Sequence, residues 1–224
     1  METVSNLDNK KLAYLIGAVV GDGHYAPPDK WGSYRFYFGS SDKDFALRIK
    51  QLIKELFSLN TGFVIYNLSK KNKFWRDHYQ ITSRPLPKLL MAYLPNSNKI
   101  PKFIRNSNIG VRVEFLSGFF DAEWGVSISK IKSRNAIDRR LYCHNADLEI
   151  LEEIGSYLRD LDIDSFIQNG KGAYALNIWG YKNLVNFKNL IDFQIKRKKD
   201  KLTKAIQSYK LIRKEHRYLR INFP

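Results

Sequence analysis

The chain has 224 residues, the length of one large or two small domains, and 44% of them are apolar, which supplies a core and excludes a disordered chain. Lysine and arginine outnumber aspartate and glutamate 38 to 22, a formal net charge of +16 with an isoelectric point near 9.8, so the expected partner is a polyanion, either nucleic acid or an anionic membrane surface. The single cysteine, Cys143, excludes a disulfide framework and a cysteine-built zinc site, and the four histidines, none paired at i,i+4, leave any metal work to carboxylates.

The spacing of apolar residues predicts a helix over 8–22. Its apolar run, Leu12 to Val20, is far short of the ~20 residues that span a bilayer. Lys10-Lys11 before it resembles the opening of a signal peptide, but the run leads into Gly21-Asp22-Gly23-His24 and not into a small-residue cleavage site. The chain is therefore expected in the cytoplasm, or in an organelle if the host is a eukaryote. Strands are expected over 23–30 and 34–40. A helix follows from Asp42 to Phe57, capped by Ser41-x-x-Asp44, with Phe45, Ile49, Leu52, Ile53 and Leu56 on one face. Two more strands, over 62–69 and 73–82, flank Lys70-Lys71-Asn72-Lys73, and a short helix over 86–94 ends at Pro95.

After Pro101 the order restarts: a helix over 110–123, strands over 125–132 and 139–144, a helix opening at Asp147, strands over 164–169 and 173–179, and a helix over 181–191. Each half reads α-β-β-α-β-β-α, an α+β unit repeated with pseudo-twofold symmetry. The first repeat, 1–109, carries 17 basic and 8 acidic residues, the second, 110–195, carries 10 and 12, and the tail, 196–224, carries 11 and 2. In that tail Leu202, Ala205, Ile206, Tyr209 and Ile212 fall at helical spacing, so it reads either as a phosphate-binding basic helix or as an ordinary helix with a solvated charged face.

The repeat is tightest at the ends of its two opening helices. Leu15-Ile16-Gly17-Ala18-Val19-Val20-Gly21-Asp22-Gly23 aligns without a gap on Leu116-Ser117-Gly118-Phe119-Phe120-Asp121-Ala122-Glu123-Trp124, an offset of 101 residues. Gly17 with Gly21, and Gly118 with Ala122, put small residues four apart on one helix face, where two backbones can approach closely. Were these helices packed together, Asp22 and Glu123 would meet at their C-terminal ends, among free carbonyls and partial negative charge, a site that suits a hard divalent cation such as Mg²⁺.

These two segments resemble the paired motifs of the LAGLIDADG homing endonucleases, in the branch that carries both in one chain. The resemblance extends to the spacing, to the order of elements in each half, and to the basic segment over 195–202. It implies antiparallel sheets forming a DNA-binding saddle with the motif helices at the central interface. It also implies a monomer that cuts both strands of a long asymmetric DNA site and leaves short 3′ overhangs. Asp22 and Glu123 would bind the metal, aided by the backbone carbonyls of Gly21 and Ala122. Mg²⁺ is the expected cofactor, Mn²⁺ would substitute, and Ca²⁺ would bind without supporting cleavage. Two departures stand out. Trp124 replaces the glycine that usually follows the acid, and the positions before the middle helices, Ser40-Ser41 and Asn145-Ala146, hold no lysine. A basic auxiliary would then be Lys99 or Lys102 in one half and Lys196 or Lys198 in the other; Lys102 and Lys196 are taken as the candidates.

Alternation sorts the strand residues between faces. Phe36 and Phe38 point inward, Arg35 and Tyr37 outward. Trp75, Tyr79 and Ile81 alternate with Arg76, His78, Gln80 and Thr82. Val126 and Ile128 alternate with Ser127 and Ser129, with Lys130 and Lys132 beyond, and Asn177 lies between Leu176 and Ile178. One face rich in Arg, Gln, Asn, Ser and His suits base edges and phosphates, though any sheet with one wet face alternates in this way. The candidate DNA contacts are these outward residues with Lys30, Ser40, Asn145, Lys198 and Lys199. Two other functions remain open: an RNA-binding maturase that assists intron splicing, and a catalytically silent DNA-binding protein. A membrane-bound role finds no hydrophobic anchor. No splice-junction cysteine opens the chain and no nucleophile closes it, so a complete intein is not expected.

Overall fold

Asp8 starts α1, Asn9–Asp22, by accepting hydrogen bonds from the amides of Lys10 and Lys11. Leu12 through Val20 are all buried, so α1 is enclosed on every side, unlike an amphipathic surface helix. The computed structural model describes residues 8–70, 76–131, 136–170 and 172–221. Two compact units emerge, Met1–Glu123 and Trp124–Pro224.

The first unit continues with β1 (Gly23–Ala26), β2 (Arg35–Ser40), α2 (Lys43–Phe57), β3 (Gly62–Tyr66), β4 (His78–Ser83), α3 (Leu86–Leu90), α4 (Lys102–Arg105) and α5 (Ile109–Glu123). Its antiparallel sheet has the order β1-β2-β4-β3. The second unit holds β5 (Gly125–Ile131), β6 (Ala136–Asn145), α6 (Leu148–Arg159), β7 (Phe166–Asn169), β8 (Tyr174–Trp179), α7 (Tyr181–Leu190) and α8 (Lys196–Ile221). Its sheet, β5-β6-β8-β7, repeats the first order four strands later in the count. The architecture is α+β, two four-stranded antiparallel sheets with helices, as the internal repeat leads one to expect.

Several boundaries differ for identifiable reasons. β1 stops at Ala26 and not at 30, because Pro27 and Pro28 carry no amide for the ladder. The Ser41-x-x-Asp44 box does not form. Asp42 is the N-cap of α2, and its own amide donates to Ser40 Oγ at 3.1 Å. The helix expected over 86–94 closes at Leu90 and gives way to tight turns in which the Tyr93 and Leu94 amides donate to the Leu90 carbonyl. The one-turn α4 has too short a period to be seen in the sequence. Trp75, Lys132 and Lys71-Asn72-Lys73 lie outside the described residues. Among those described, no helix is long and apolar enough to cross a membrane.

The tail helix α8 is held by the second unit's sheet. Leu202, Ala205 and Ile206 are buried. Arg139, on the buried side of β6, donates through Nε to Ser208 Oγ, through Nη2 to the Ser208 carbonyl at 3.2 Å and through Nη1 to the Ile137 carbonyl at 3.0 Å. Its guanidinium lies 4.2 Å from the Tyr209 ring centroid. Hydrogen bonds to a charged donor contribute about 1.5–3 kcal/mol each, so Arg139→Ala is expected to destabilise the second unit by at least about 2 kcal/mol. Hydrogen exchange should show α8 amides losing protection before those of β6.

Candidate functional site

α1 and α5 run side by side within the first unit, and glycine sets their separation. A methyl placed on Gly17 would overlap the Phe115 carbonyl oxygen, and one on Gly118 would overlap the Tyr14 carbonyl oxygen. Each glycine therefore receives the backbone of the other helix, the close approach expected from small residues four apart. One turn on, a methyl on Gly21 would collide with the Ala122 side chain and lie 3.1 Å from Glu123 Cγ. The Glu123 side chain thus lies against the residue before Asp22, and both carboxylates occupy the same end of the helix pair. Asp22 is exposed and Glu123 half-buried, so a ligand can reach them.

α1 passes directly into β1. Gly23 is extended (φ −100°), not left-handed, and its amide donates to the Val19 carbonyl. A glycine turn is accordingly not what this position requires. Trp124, its counterpart, is fully buried and lies just before β5, whereas Gly23 is the first residue of β1.

A buried polar pair crosses the helix pair just above the carboxylates. Tyr14 Oη donates to Asp121 Oδ2 at 2.7 Å, and both residues are 1% exposed. Burial first, and then the adjacent Asp121 charge, pushes the Tyr14 phenol far above its usual range, so the hydroxyl keeps its proton and donates. The Arg48 guanidinium of α2 sits 4.8 Å from the Tyr14 ring centroid. Neither partner of this bond stands out in the sequence.

The basic auxiliaries are placed differently from each other. Lys102 lines a cavity with Asn9 and Asn108, at the N-terminal ends of α1 and α5. Fourteen helical residues at about 1.5 Å each separate that end of α1 from Asp22, about 20 Å, so Lys102 cannot act on a group held there. Lys196, in the second unit, pairs with Asp200 at 2.9 Å.

On the first unit's outer sheet face, Arg35, Tyr37, His78, Gln80 and Thr82 are all half-exposed, with Arg76 exposed before β4. His24 and Tyr66 belong there too. The His24 ring stacks on Tyr37 at 5.2 Å, and Tyr66 Oη donates to Gln80 Oε1 at 2.9 Å. Lys30 lies on the β1–β2 loop, its ammonium 4.4 Å from the centroid of exposed Trp31. That loop is ordered by Asp29, whose carboxylate accepts from the Trp31 and Ser33 amides. Ser40 shares the buried face of Phe36 and Phe38 and serves the turn into α2. It is not an outward contact.

On the second unit, Ser127 is half-exposed and Ser129 and Lys130 are exposed. Asn145 is the counterpart of Ser40: its Oδ1 accepts from the Asp147 amide at 2.8 Å, ahead of the Asp147 cap of α6. Asn177 has the outward parity but is 1% exposed, flanked in register by Tyr142 and Phe166, and its amide turns back to the Ala175 carbonyl. The outward side chains here are Arg140, Tyr142, His144 and Gln168. The alternation of Arg140, Tyr142 and His144 with Leu141 and Cys143 was the signal that could have found them. Lys198 is 6% exposed with its ammonium 5.9 Å from the Phe193 ring centroid, and Lys199 pairs with Asp192 at 2.9 Å. Lys198 therefore presents no charge to a phosphate. Lys196, Arg197, Lys199, Lys201 and Lys204 are all exposed, and of these Lys201 and Lys204 lie furthest along α8.

Comparison with known proteins gives the same fold. Residues 110–192 match the family model of a LAGLIDADG-like domain. The chain is 28% identical over 215 residues to the uncharacterized protein MJ0398 of Methanocaldococcus jannaschii, covering 88% of this chain and 72% of that protein. It is 29% identical over 216 residues to a DNA polymerase of Thermococcus litoralis, where 91% of this chain spans only 12% of the polymerase. Among solved structures, the homing endonuclease I-DmoI in complex with DNA and Mn aligns with a TM-score of 0.57 at 22% identity, over 82% of this chain and 96% of that one. I-DmoI has also been solved with DNA and Ca.

Proposed function

We propose that this chain, a member of the LAGLIDADG family, is a site-specific endonuclease for double-stranded DNA. The observation that carries this reading is the pair of carboxylates, Asp22 and Glu123, borne on helix ends whose backbones touch. The polymerase match lends no polymerase activity, since it spans 12% of that enzyme. A segment of this size within a much larger protein supports a module with chemistry of its own.

The residues at the helix ends fit a divalent cation. Among the described residues no group of three or more His, Cys, Asp or Glu could hold a metal by itself. Mg²⁺ does not need one, because it keeps waters and is typically bound by one or two carboxylates plus substrate phosphates. Asp22 and Glu123 supply the carboxylates, and the terminal carbonyls of Gly21 and Ala122 lie beside them. When bound, the metal supplies an activated water and neutralises charge on the scissile phosphate and the leaving 3′-oxygen. Mn²⁺ serves in its place, and Ca²⁺ holds the complex uncut. The products carry short 3′ overhangs. The protein acts as a monomer on a long asymmetric site, because the outward residues Arg35, Tyr37, His78 and Gln80 of one sheet differ from Ser127, Ser129, Arg140 and Gln168 of the other.

Incubating the protein with a randomised duplex library, first with Ca²⁺ to select binders and then with Mg²⁺ to release cut ends, tests this reading. One non-palindromic site with paired nicks on opposite strands is expected. Retention of duplex without cutting would make the protein a silent DNA binder, and preference for structured RNA would make it a maturase.

The tail gives a second check. Lys201→Gln with Lys204→Gln is expected to weaken binding to selected and random duplex alike, because phosphate contacts position and do not specify. The slope of log K against log salt should flatten by about 0.9 for each phosphate that the variant leaves unneutralised. An unchanged slope would leave α8 as a solvated face.

A further inference from the structure

The Tyr14–Asp121 hydrogen bond is one-sided in a chain built on a repeat. At the offset of 101 residues, Phe115 answers Tyr14 and Val20 answers Asp121. The equivalent crossing therefore has a ring without a hydroxyl and a side chain without a carboxylate, both buried. An apolar pair of similar shape is evidently compatible with this helix packing. Burying a carboxylate is costly unless it is hydrogen-bonded, and replacing both partners of such a pair by apolar groups is often neutral or stabilising. Packing shape alone gives no reason for a polar pair in one half only.

Its position supplies a reason. Asp121 lies in the last turn of α5, two residues before Glu123, where helix ends fray for want of intrahelical partners. The bond ties that turn to the middle of α1, and Arg48 of α2 braces the Tyr14 ring at 4.8 Å. We infer that Tyr14 is a positioning residue: through its hydrogen bond to Asp121 it fixes the last turn of α5 and so the pose of the Glu123 carboxylate. This rests on the endonuclease reading given above. Asp22 and Glu123 hang from different helices, so disturbing the pose of one falls unequally on the two strands.

The test follows each strand separately during Mg²⁺-dependent cutting of a supercoiled plasmid carrying the selected site, alongside melting temperature. Support groups behind a metal ligand typically matter by 10–100-fold, so Tyr14→Phe should slow one strand by about tenfold or more and leave the other near the parent rate. Nicked circles should accumulate with the nick always in the same strand. Asp121→Asn keeps an oxygen that accepts from the Tyr14 hydroxyl and should stay near the parent strand ratio. The double variant Tyr14→Phe/Asp121→Val copies the apolar crossing and should keep the strand bias. Equal slowing of both strands, or a double variant that restores both, would overturn the inference and leave the pair a packing feature. A parent protein that cuts neither strand would instead remove the endonuclease reading and the inference with it.

Discussion

Asp22→Asn and Glu123→Gln are each expected to end double-strand cleavage while leaving the protein folded and bound to DNA. Both substitutions keep size and polarity and remove a charge. A missing direct metal ligand should reduce cleavage more than a missing supporting group, so the fall should exceed about 100-fold. Asp22 is exposed and Glu123 only half-buried, so neither isosteric change opens a cavity. Affinity for duplex without metal should hold or rise, because one fewer negative charge then faces the phosphates. Gel shifts with Ca²⁺ and cleavage with Mg²⁺, run on the same preparations, separate the two effects. Cleavage at the parent rate by either variant would refute the assignment of that carboxylate.

Gly118→Leu is expected to break the packing of α1 against α5. Even a methyl at this position would overlap the Tyr14 carbonyl oxygen, and the obstacle is backbone, which cannot rotate away. Overpacking a core costs about 1–3 kcal/mol where side chains can adjust, so about 3 kcal/mol or more is expected here. For a chain of this length that lowers the melting temperature by about 6–12 °C. Cleavage should fall further than stability alone explains, because the helices also hold Asp22 and Glu123 together. Gly110→Ala, in the first turn of α5, where a methyl would meet nothing closer than 3.4 Å, provides the control. A Gly118→Leu protein with unchanged melting temperature and activity would mean that the close approach is not what sets the site.

The helix pair and its carboxylates were legible in the sequence because one gapless alignment fixes both. Glycines at matched phase specify contact, and an acid one residue beyond each small pair specifies where contact leads. Strand faces were legible wherever apolar and polar residues alternate cleanly, as from Arg35 to Phe38. Parity does not report cover, however. Asn177 has the outward parity and is enclosed by register neighbours, while Ser40 and Asn145 are polar because they cap turns. Lys198 looked like part of a charge run and is buried, since helical phase and not composition decides which lysines face water. The Tyr14–Asp121 bond joins residues 107 apart and breaks the repeat, so no local pattern announces it.

The central claim is that Asp22 and Glu123 jointly hold divalent metal on duplex DNA. The most direct measurement is anomalous scattering from Mn²⁺ in crystals of the protein with its selected duplex, for the parent and for Asp22→Asn/Glu123→Gln. The parent should show Mn²⁺ bound between the two carboxylates and the scissile phosphates, and the double variant should show none there. Mn²⁺ held elsewhere in a complex that still cuts, or retained at the helix ends without both carboxylates, would contradict the account.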